Sequence, residues 1–357
     1  MRVLILTGSF GLGHIKAAKA IKEEIEEVPW AEVESTDIVY HLFPSAGKHI
    51  YKVFDVMSGR LHVLYNIINR LDEKKTISPM KKWFYKKFGM LMEEKHPDVV
   101  ISTLPVVSKY TGNYIKNAES SIKYITCITD IVPHSEWLSE KTNAYIVGDE
   151  MTKDIMVKKG VDQEKIFVGG IPVRKAFKNN FYETDKKGKS GKTVLLMGGG
   201  LGLIPGADVI IDELIKVPEI KVTVITGRNE KLMRDLKRKY SEIEVIGYCE
   251  NTAEYINEAD IIISKAGGIT VFEAIYAETP MAVMHPFLEQ EKKNAELVEK
   301  RNIGVVMGKD KDRYSQKVIE MLYDEKGLCL MKENMKKMKK SYESCSISNI
   351  LYGCKNR

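Results

Sequence analysis

Short apolar runs alternate with longer segments of helical periodicity along the whole chain. The runs at 2–7, 33–39, 98–104, 124–129 and 144–147, and again at 193–197, 222–226, 244–246, 261–264, 281–284 and 305–307, are rich in Val and Ile. Apolar runs of that length, bounded by Gly, Asn, Asp or Ser, read as strands buried in a sheet. Between them apolar residues recur at helical spacing, as in Ala17, Ala18 and Ile21. Strand–helix–strand units in such a succession build parallel sheets through right-handed crossovers. The pattern stops once, at 178–192, where Lys-Asn-Asn-Phe-Tyr-Glu-Thr-Asp-Lys-Lys-Gly-Lys-Ser-Gly-Lys is polar and without period, the composition of a linker. The prediction is an α/β protein of two doubly wound domains facing each other across a cleft. They span 1–175 and 176–329, with a helix over about 330–357 returning to the first.

A chain of 357 residues exceeds what one core organises, which agrees with two domains. Its 44% hydrophobic and 29% charged residues are the composition of a globular protein rather than a disordered one. No apolar run nears the ~20 residues of a membrane-spanning helix. The start, Val3-Leu4-Ile5-Leu6, leads straight to Thr7-Gly8 as a first core strand does, rather than as a signal segment. Five cysteines, odd in number and without a C-x-x-C pair, predict free thiols in a cytoplasmic protein.

The net charge of +6 is unevenly placed. Residues 40–95 form a long insertion between the second and third strands, and such insertions in α/β folds carry binding work. Within it, 74–92 interleaves Lys74, Lys75, Lys81, Lys82, Lys86 and Lys87 with Trp83, Phe84, Tyr85 and Phe88. Near an anionic bilayer each lysine contributes about 1 kcal/mol and the rings settle into the interface. The segment is therefore expected to hold the protein on an anionic membrane surface, the inner face of the cell membrane. An amphipathic helix packed on a sheet gives the same pattern. No nucleic-acid partner is predicted, the oligomeric state is left open, and the lysines at 332–340 read as a solvated helix face.

The stretch 260–294 holds most of the candidate chemistry. A buried strand, Ile261-Ile262-Ile263, ends in Ser264-Lys265-Ala266-Gly267-Gly268, where the chain can turn sharply and bring bare backbone to a ligand. Helix formers follow at once, so first-turn N–H groups and the helix dipole suit a phosphate. Glu273 lies one turn further on, placed to accept both hydroxyls of a ribose. Thr270 and Glu273 also have the spacing of a capping box, which explains both without any ligand. Gln290, Glu291 and Asn294, one strand later, are not needed for a cap.

Other loops point to the same sheet edges. Gly8-Ser9-Phe10-Gly11-Leu12-Gly13-His14 precedes a helix, and its G-x-x-G-x-G order is not that of a dinucleotide fingerprint. Asp37, at the end of the second strand, imitates the ribose-binding acid of such a fold and keeps a nicotinamide enzyme as an alternative. At a helix N-terminus, His14 is expected to stay neutral and able to take a proton. Asp130 and His134, with Trp137, follow another buried strand and are expected near His14. Gly169-Gly170-Ile171-Pro172-Val173-Arg174 offers an arginine toward a diphosphate. In the second half, the loop 198–206 with Gly199 and Gly200, and Gly227-Arg228-Asn229, end successive strands where open α/β folds bind ligands.

The motifs Gly11-x-Gly13-His14-x-x-Ala17-Ala18-x-Ala20-Ile21, Thr129-Asp130 with His134 and Trp137, and Gly170-Ile171-Pro172-Val173-Arg174 occur in order. They are followed by Ser264-Lys265-x-Gly267-Gly268-x-Thr270-x-x-Glu273-Ala274 and Gln290-Glu291-x-x-Asn294. Together they resemble the monogalactosyldiacylglycerol synthase and processive diacylglycerol glucosyltransferase group, itself similar to the peptidoglycan enzyme that adds N-acetylglucosamine to lipid I. The resemblance implies a GT-B fold of two Rossmann-like domains and an inverting transfer of a hexose from a UDP-sugar to a diacylglycerol-type lipid, with no cofactor and no metal. It places Glu273 on the ribose, and Gly267, Gly268, Ile269 and Thr270, beside Ser264 and Lys265, on the pyrophosphate. Arg174 assists at the diphosphate, Gln290, Glu291 and Asn294 face the donor sugar, and the backbone of Ile246, Gly247 and Tyr248 pairs with uracil. His14 and Asp130 lie near the acceptor hydroxyl, one of them the base, with Gly11, Gly13, His134 and Trp137 on the acceptor side.

The family often has proline after the lysine and glycine before the Gln-Glu pair, where this chain has Ala266 and Glu289. The choice among glucose, galactose and N-acetylglucosamine therefore stays open. So do a UDP-sugar epimerase of the same architecture, a transferase acting on a non-lipid or polyprenyl-linked acceptor, and a non-catalytic UDP-sugar sensor.

Overall fold

The most completely apolar runs form the sheet centres. In the computed structural model, which describes residues 1–10, 12–60, 81–133, 135–178 and 191–355, two compact units are present. The first comprises Met1–Arg174 with Ser341–Arg357, the second Lys175–Lys340. The first unit carries β1 (Arg2–Thr7), β2 (Glu32–Asp37), β3 (Val99–Ser102), β4 (Lys123–Cys127), β5 (Ala144–Val147) and β6 (Ile166–Val168). They pair in the order β2-β1-β3-β4-β5-β6, all parallel.

Alternation sorts the side chains of this sheet. Val3, Ile5, Val99, Ile101, Ile125 and Cys127 meet Ala18, Ile21 and Ile25 of α1 (Gly13–Ile25) on one face. Leu4, Leu6, Val100 and Tyr124 face the other way, toward α2 (Ile38–Leu42), α3 (Gly47–Arg60), α4 (Lys81–Lys95) and α5 (Pro105–Asn117). Each fully buried Ile or Leu contributes about 1.5–3 kcal/mol. Beyond β5 comes α6 (Glu150–Lys158), capped by Asp149, whose side chain accepts from Met151 N–H.

Two differences from the sequence reading have local causes. The expected strand 33–39 ends at Asp37, because that carboxylate accepts from the N–H groups of Val39 and Tyr40 and starts α2 instead. The edge strand β6 was not anticipated at all.

In the second unit α7 (Lys175–Lys178) comes first. It is followed by β7 (Lys192–Met197), α8 (Ala207–Leu214), β8 (Ile220–Ile225), α9 (Glu230–Lys239), β9 (Glu244–Ile246), α10 (Thr252–Glu258) and β10 (Ile261–Ser264). Next are α11 (Gly268–Ala277), β11 (Met281–Val283), α12 (Glu289–Lys300), β12 (Gly304–Val306), α13 (Tyr314–Tyr323) and α14 (Glu325–Tyr342). The parallel order is β12-β11-β10-β7-β8-β9, with Leu196, Val224, Ile263 and Ala282 buried against Ile210, Ile211 and Val318. The last helix, α15 (Ile347–Lys355), belongs to the first unit. It buries Ile347, Ile350 and Leu351 with α1, and Ile347 N–H donates to Glu24 Oε1 at 2.8 Å.

The basic aromatic segment 74–92 is only partly described. In its described half α4 turns Phe88, Leu91 and Met92 into the core and leaves Lys86 and Met90 exposed, so Phe88 packs on the sheet rather than awaiting a bilayer. No helix among the described residues is long and apolar enough to cross a membrane. The five cysteines are free, and burial pushes the Cys127 thiol up to about 12, far from reactive. On α14, Lys339 and Lys336 reach Glu278 at 2.7 and 3.6 Å.

Candidate functional site

Both sheets have a switch point, where neighbouring strands send their connections to opposite faces. It lies between β1 and β3 in one unit and between β7 and β10 in the other, and ligands of open α/β folds bind at the carboxyl ends there.

His14 occupies the first of these points. It is the second residue of α1, and its Nδ1 lies 3.0 Å from Thr129 Oγ1, beyond the end of β4. The ring also hydrogen-bonds the Thr103 backbone, at the end of β3. Thr103 in turn is tied to β1, its Oγ1 donating to Thr7 Oγ1 at 3.0 Å and its N–H to Leu6 O at 3.0 Å. One imidazole thus joins the carboxyl ends of β3 and β4 and reaches β1 through Thr103. The ring is half-buried, and desolvation by the groups packed around it pushes it down from 6.5 to about 4, partly offset by the Thr103 hydrogen bond. The neutral imidazole expected from the sequence is present, with burial as the main cause.

Thr7 and Thr103 were missed in the sequence; a hydroxyl at the carboxyl end of a buried strand, the last residue of β1 and the first beyond β3, is the only signal they give. Asp130 follows Thr129 directly and is half-buried. Trp137 is fully buried, its ring centroid 6.4 Å from that of His14, so it backs the imidazole and is closed to direct substrate contact. Gly11 and His134 lie outside the described residues. Gly13 opens α1 beside His14.

Gly169 and Gly170 have a packing explanation. A Cβ at Gly169 would lie 2.8 Å from Cys345 O, and one at Gly170 2.9 Å from the Tyr342 ring. Arg174 follows, half-buried. Asp37, the acid that suggested a nicotinamide fold, caps α2 and accepts from Tyr51 Oη at 2.6 Å.

In the second unit the loops after β7 and β8 interlock. Arg228 N–H donates to Gly200 O at 3.0 Å and Asn229 Nδ2 to Gly202 O at 3.2 Å. Asn229 Oδ1 also caps α9 through Leu232 N–H, so this side chain braces the loops. Gly202 has φ +62°, and a Cβ there would run into the Thr226 carbonyl oxygen. Gly202→Ala is expected to destabilise the protein by about 2 kcal/mol or more. Thermal unfolding checks this, and a loss under about 0.5 kcal/mol would show that the loops are not locked. The Arg228 guanidinium lies 5.6 Å from the centroid of the Tyr248 ring, which is 50% exposed, beside the Ile246-Gly247 backbone. Gly199 has open space around it.

The turn after β10 ends in Gly267, the N-cap of α11, with no side chain capping the helix. Thr270 is therefore the third helical residue and Glu273 the sixth, so the capping-box explanation of this pair fails. The first-turn N–H groups of Gly268, Ile269 and Thr270 precede any intrahelical acceptor. Glu273 is 1% exposed, and Ser264 Oγ is buried without a hydrogen-bond partner among the described residues.

The turn is held from α12. Asn294 Nδ2 donates to Ala266 O at 2.9 Å, and Lys265 Nζ lies 3.0 Å from Glu291 Oε1. Glu291 Oε2 accepts from the N–H groups of Phe287 and Leu288 at 3.3 and 3.5 Å, which caps α12. Glu291 Oε1 and the Asn294 amide thus serve the turn after β10, and Glu291 Oε2 serves the start of α12; Gln290 is half-buried in the first turn of α12. Of the two departures from the family pattern, Ala266 offers only its backbone to Asn294, and Glu289 pairs with Lys292 at 2.8 Å in the first turn of α12.

Comparison with known proteins matches the sequence to a family. The family described as monogalactosyldiacylglycerol (MGDG) synthase matches residues 14–173, and the glycosyltransferase family 28 C-terminal domain matches residues 193–348. A processive diacylglycerol beta-glucosyltransferase of Bacillus cereus is 30% identical over 358 residues, covering 94% of this chain and 89% of the relative. The chain belongs to this glycosyltransferase family.

The glycosyltransferase shares its fold with more distant structures. The glycotransferase of kitacinnamycin aligns with TM-score 0.69 at 13% identity, over 99% of this chain and 98% of that one. Acinetobacter baumannii MurG aligns with TM-score 0.64 at 14% identity, over 100% and 99%. The UDP-GlcNAc 2-epimerase of Neisseria meningitidis bound to UDP-GlcNAc aligns with TM-score 0.61 at 15% identity, over 99% and 100%. These likenesses establish the GT-B fold. An epimerase among them means that the fold alone does not choose the reaction; the family does.

Proposed function

We propose that this glycosyltransferase moves a hexose from a UDP-sugar to a diacylglycerol-type lipid at a membrane surface, with inversion and without a metal ion. The observation that carries the reading is the uncapped N-terminus of α11 with the buried Glu273 carboxylate on its second turn, in a chain related over nearly its full length to an enzyme of that name. In this reading the first-turn N–H groups of α11 take the pyrophosphate and Glu273 takes the ribose hydroxyls. The backbone at Ile246, Gly247 and Tyr248 pairs with uracil, and Gln290 meets the sugar. Glu291 and Asn294 act by holding the Lys265-Ala266-Gly267-Gly268 turn.

Cleavage of the anomeric C–O bond leaves its electron pair on UDP, where the α11 N-terminus, Lys265 and Arg174 stabilise the developing charge. The acceptor hydroxyl attacks from the opposite face and gives its proton to His14 or Asp130, so an α-linked donor yields a β-linked product. The insertion serves the lipid, with Tyr40, Val53 and Met90 among its exposed apolar side chains.

The test is incubation with UDP-glucose, UDP-galactose or UDP-N-acetylglucosamine, each with diacylglycerol vesicles or a soluble acceptor, with products identified by mass. A hexosyl-diacylglycerol from one of the two UDP-hexoses is the expected result. An altered sugar formed without acceptor, or nucleotide binding without turnover, refutes the proposal.

A further inference from the structure

We propose that Tyr51, on α3 of the insertion, is a positioning residue for His14, holding the glycine loop from which α1 springs through a carboxylate shared with that loop. The inference rests on the reading of His14 as a base.

Gly8, Ser9 and Phe10 leave β1 toward α1, at whose start His14 stands beside the ends of β3 and β4. Each of these three residues meets Tyr51. A Cβ at Gly8 would lie 2.8 Å from Tyr51 Oη, so only glycine lets the backbone come this close. Ser9 Oγ donates to Asp37 Oδ2 at 3.4 Å, while Tyr51 Oη donates to Asp37 Oδ1 at 2.6 Å. The Phe10 ring meets Tyr51 edge-on at 5.1 Å, and Tyr40 of α2 closes the other side at 5.4 Å.

The same Asp37 carboxylate caps α2 through Val39 and Tyr40 N–H. One anion therefore joins the end of β2, the first helix of the insertion, the second helix of the insertion and the glycine loop. Tyr51 is 6% exposed, and burial and the adjacent Asp37 raise its hydroxyl well above the usual range. It therefore remains a proton donor to Asp37, in a charge-assisted hydrogen bond of the short, strong kind. A shift of α2 and α3 cannot occur without releasing Gly8, Ser9 and Phe10, so the insertion is wired to the catalytic imidazole rather than merely appended to the sheet.

Tyr51→Phe keeps the ring and removes the hydroxyl. In the UDP-sugar and diacylglycerol assay it is expected to lower kcat about tenfold, since small misplacement of a catalytic group is costly, with the donor KM within about twofold. Asp37→Asn is expected to do the same, and the double variant to be no worse than the more damaged single one, as partners in one contact require. An NMR titration of the His14 imidazole in Tyr51→Phe is expected to move from about 4 toward 6.5, as the loosened loop admits water. Wild-type kcat with an unmoved His14 titration would overturn the proposal, whatever happens to the unfolding temperature. Should Tyr51→Phe fail to fold, Ser9→Ala removes a partner of Asp37 outside the core and is read the same way. His14→Ala, run in parallel, separates the two readings. Full activity there refutes the base assignment, whereas an inactive His14→Ala beside an unimpaired Tyr51→Phe refutes the positioning role alone.

Discussion

His14→Ala is expected to lower kcat by about 10³-fold while the KM for the UDP-sugar changes by less than about threefold, because a positioned general base contributes 10²–10⁴ and acts in the transition state. The donor is assigned to the other unit, so ground-state donor binding is spared. Retention of more than about a tenth of kcat would pass the base role to Asp130. The pH profile gives a second check. With His14 held at about 4, its neutral form predominates above about pH 5, so the acid limb of kcat/KM falls near 4 and not near 6.5. Stability follows the same shift. The unfolded chain binds this proton near pH 6.5 and the folded protein only near 4, so the unfolded state holds more protons between those values. Stability is full above 6.5 and declines as pH falls through that window. His14→Ala removes this contribution and flattens the acid side of the stability curve.

The limits of the sequence reading are physical. The centre strand Val99–Ser102 was plain because both of its faces are buried. Ile166-Phe167-Val168 escaped because three residues are too few to show a period, and Phe167 and Val168 are half-exposed at the sheet edge. Ile38 and Val39 extended an apolar run that suited a strand as well as a buried helix turn, and only the Asp37 cap decided between them. A helix N-terminus predicted a neutral His14. The burial that chiefly causes it comes from folding, and Thr129, a hydrogen-bond partner of the ring, lies 115 residues away in sequence. Likewise, Glu291 was visible as a polar residue in a ligand loop. Its commitment to Lys265 and to the α12 cap depends on a turn one strand earlier in the sheet.

Glu273→Gln is expected to raise the KM for UDP-sugar about 10²-fold. A carboxylate accepting two ribose hydroxyls makes charge-assisted hydrogen bonds worth about 1.5–3 kcal/mol each, and the amide loses the charge and one acceptor. UDP titration and donor kinetics measure this. The effect on stability is expected to be small. Glu273 is 1% exposed on a helix whose Val271, Phe272, Ala274 and Ile275 are fully buried, and the isosteric amide keeps that packing. The unfolding midpoint therefore stays level while nucleotide affinity collapses. A helix cap would behave the other way, losing about 1 kcal/mol of stability on removal and sparing the ligand. The N-cap at Gly267 already places Thr270 and Glu273 inside the helix. The paired measurement then asks whether the buried carboxyl group is kept for a ligand, and a fall in stability with unchanged UDP affinity would assign Glu273 to the fold instead.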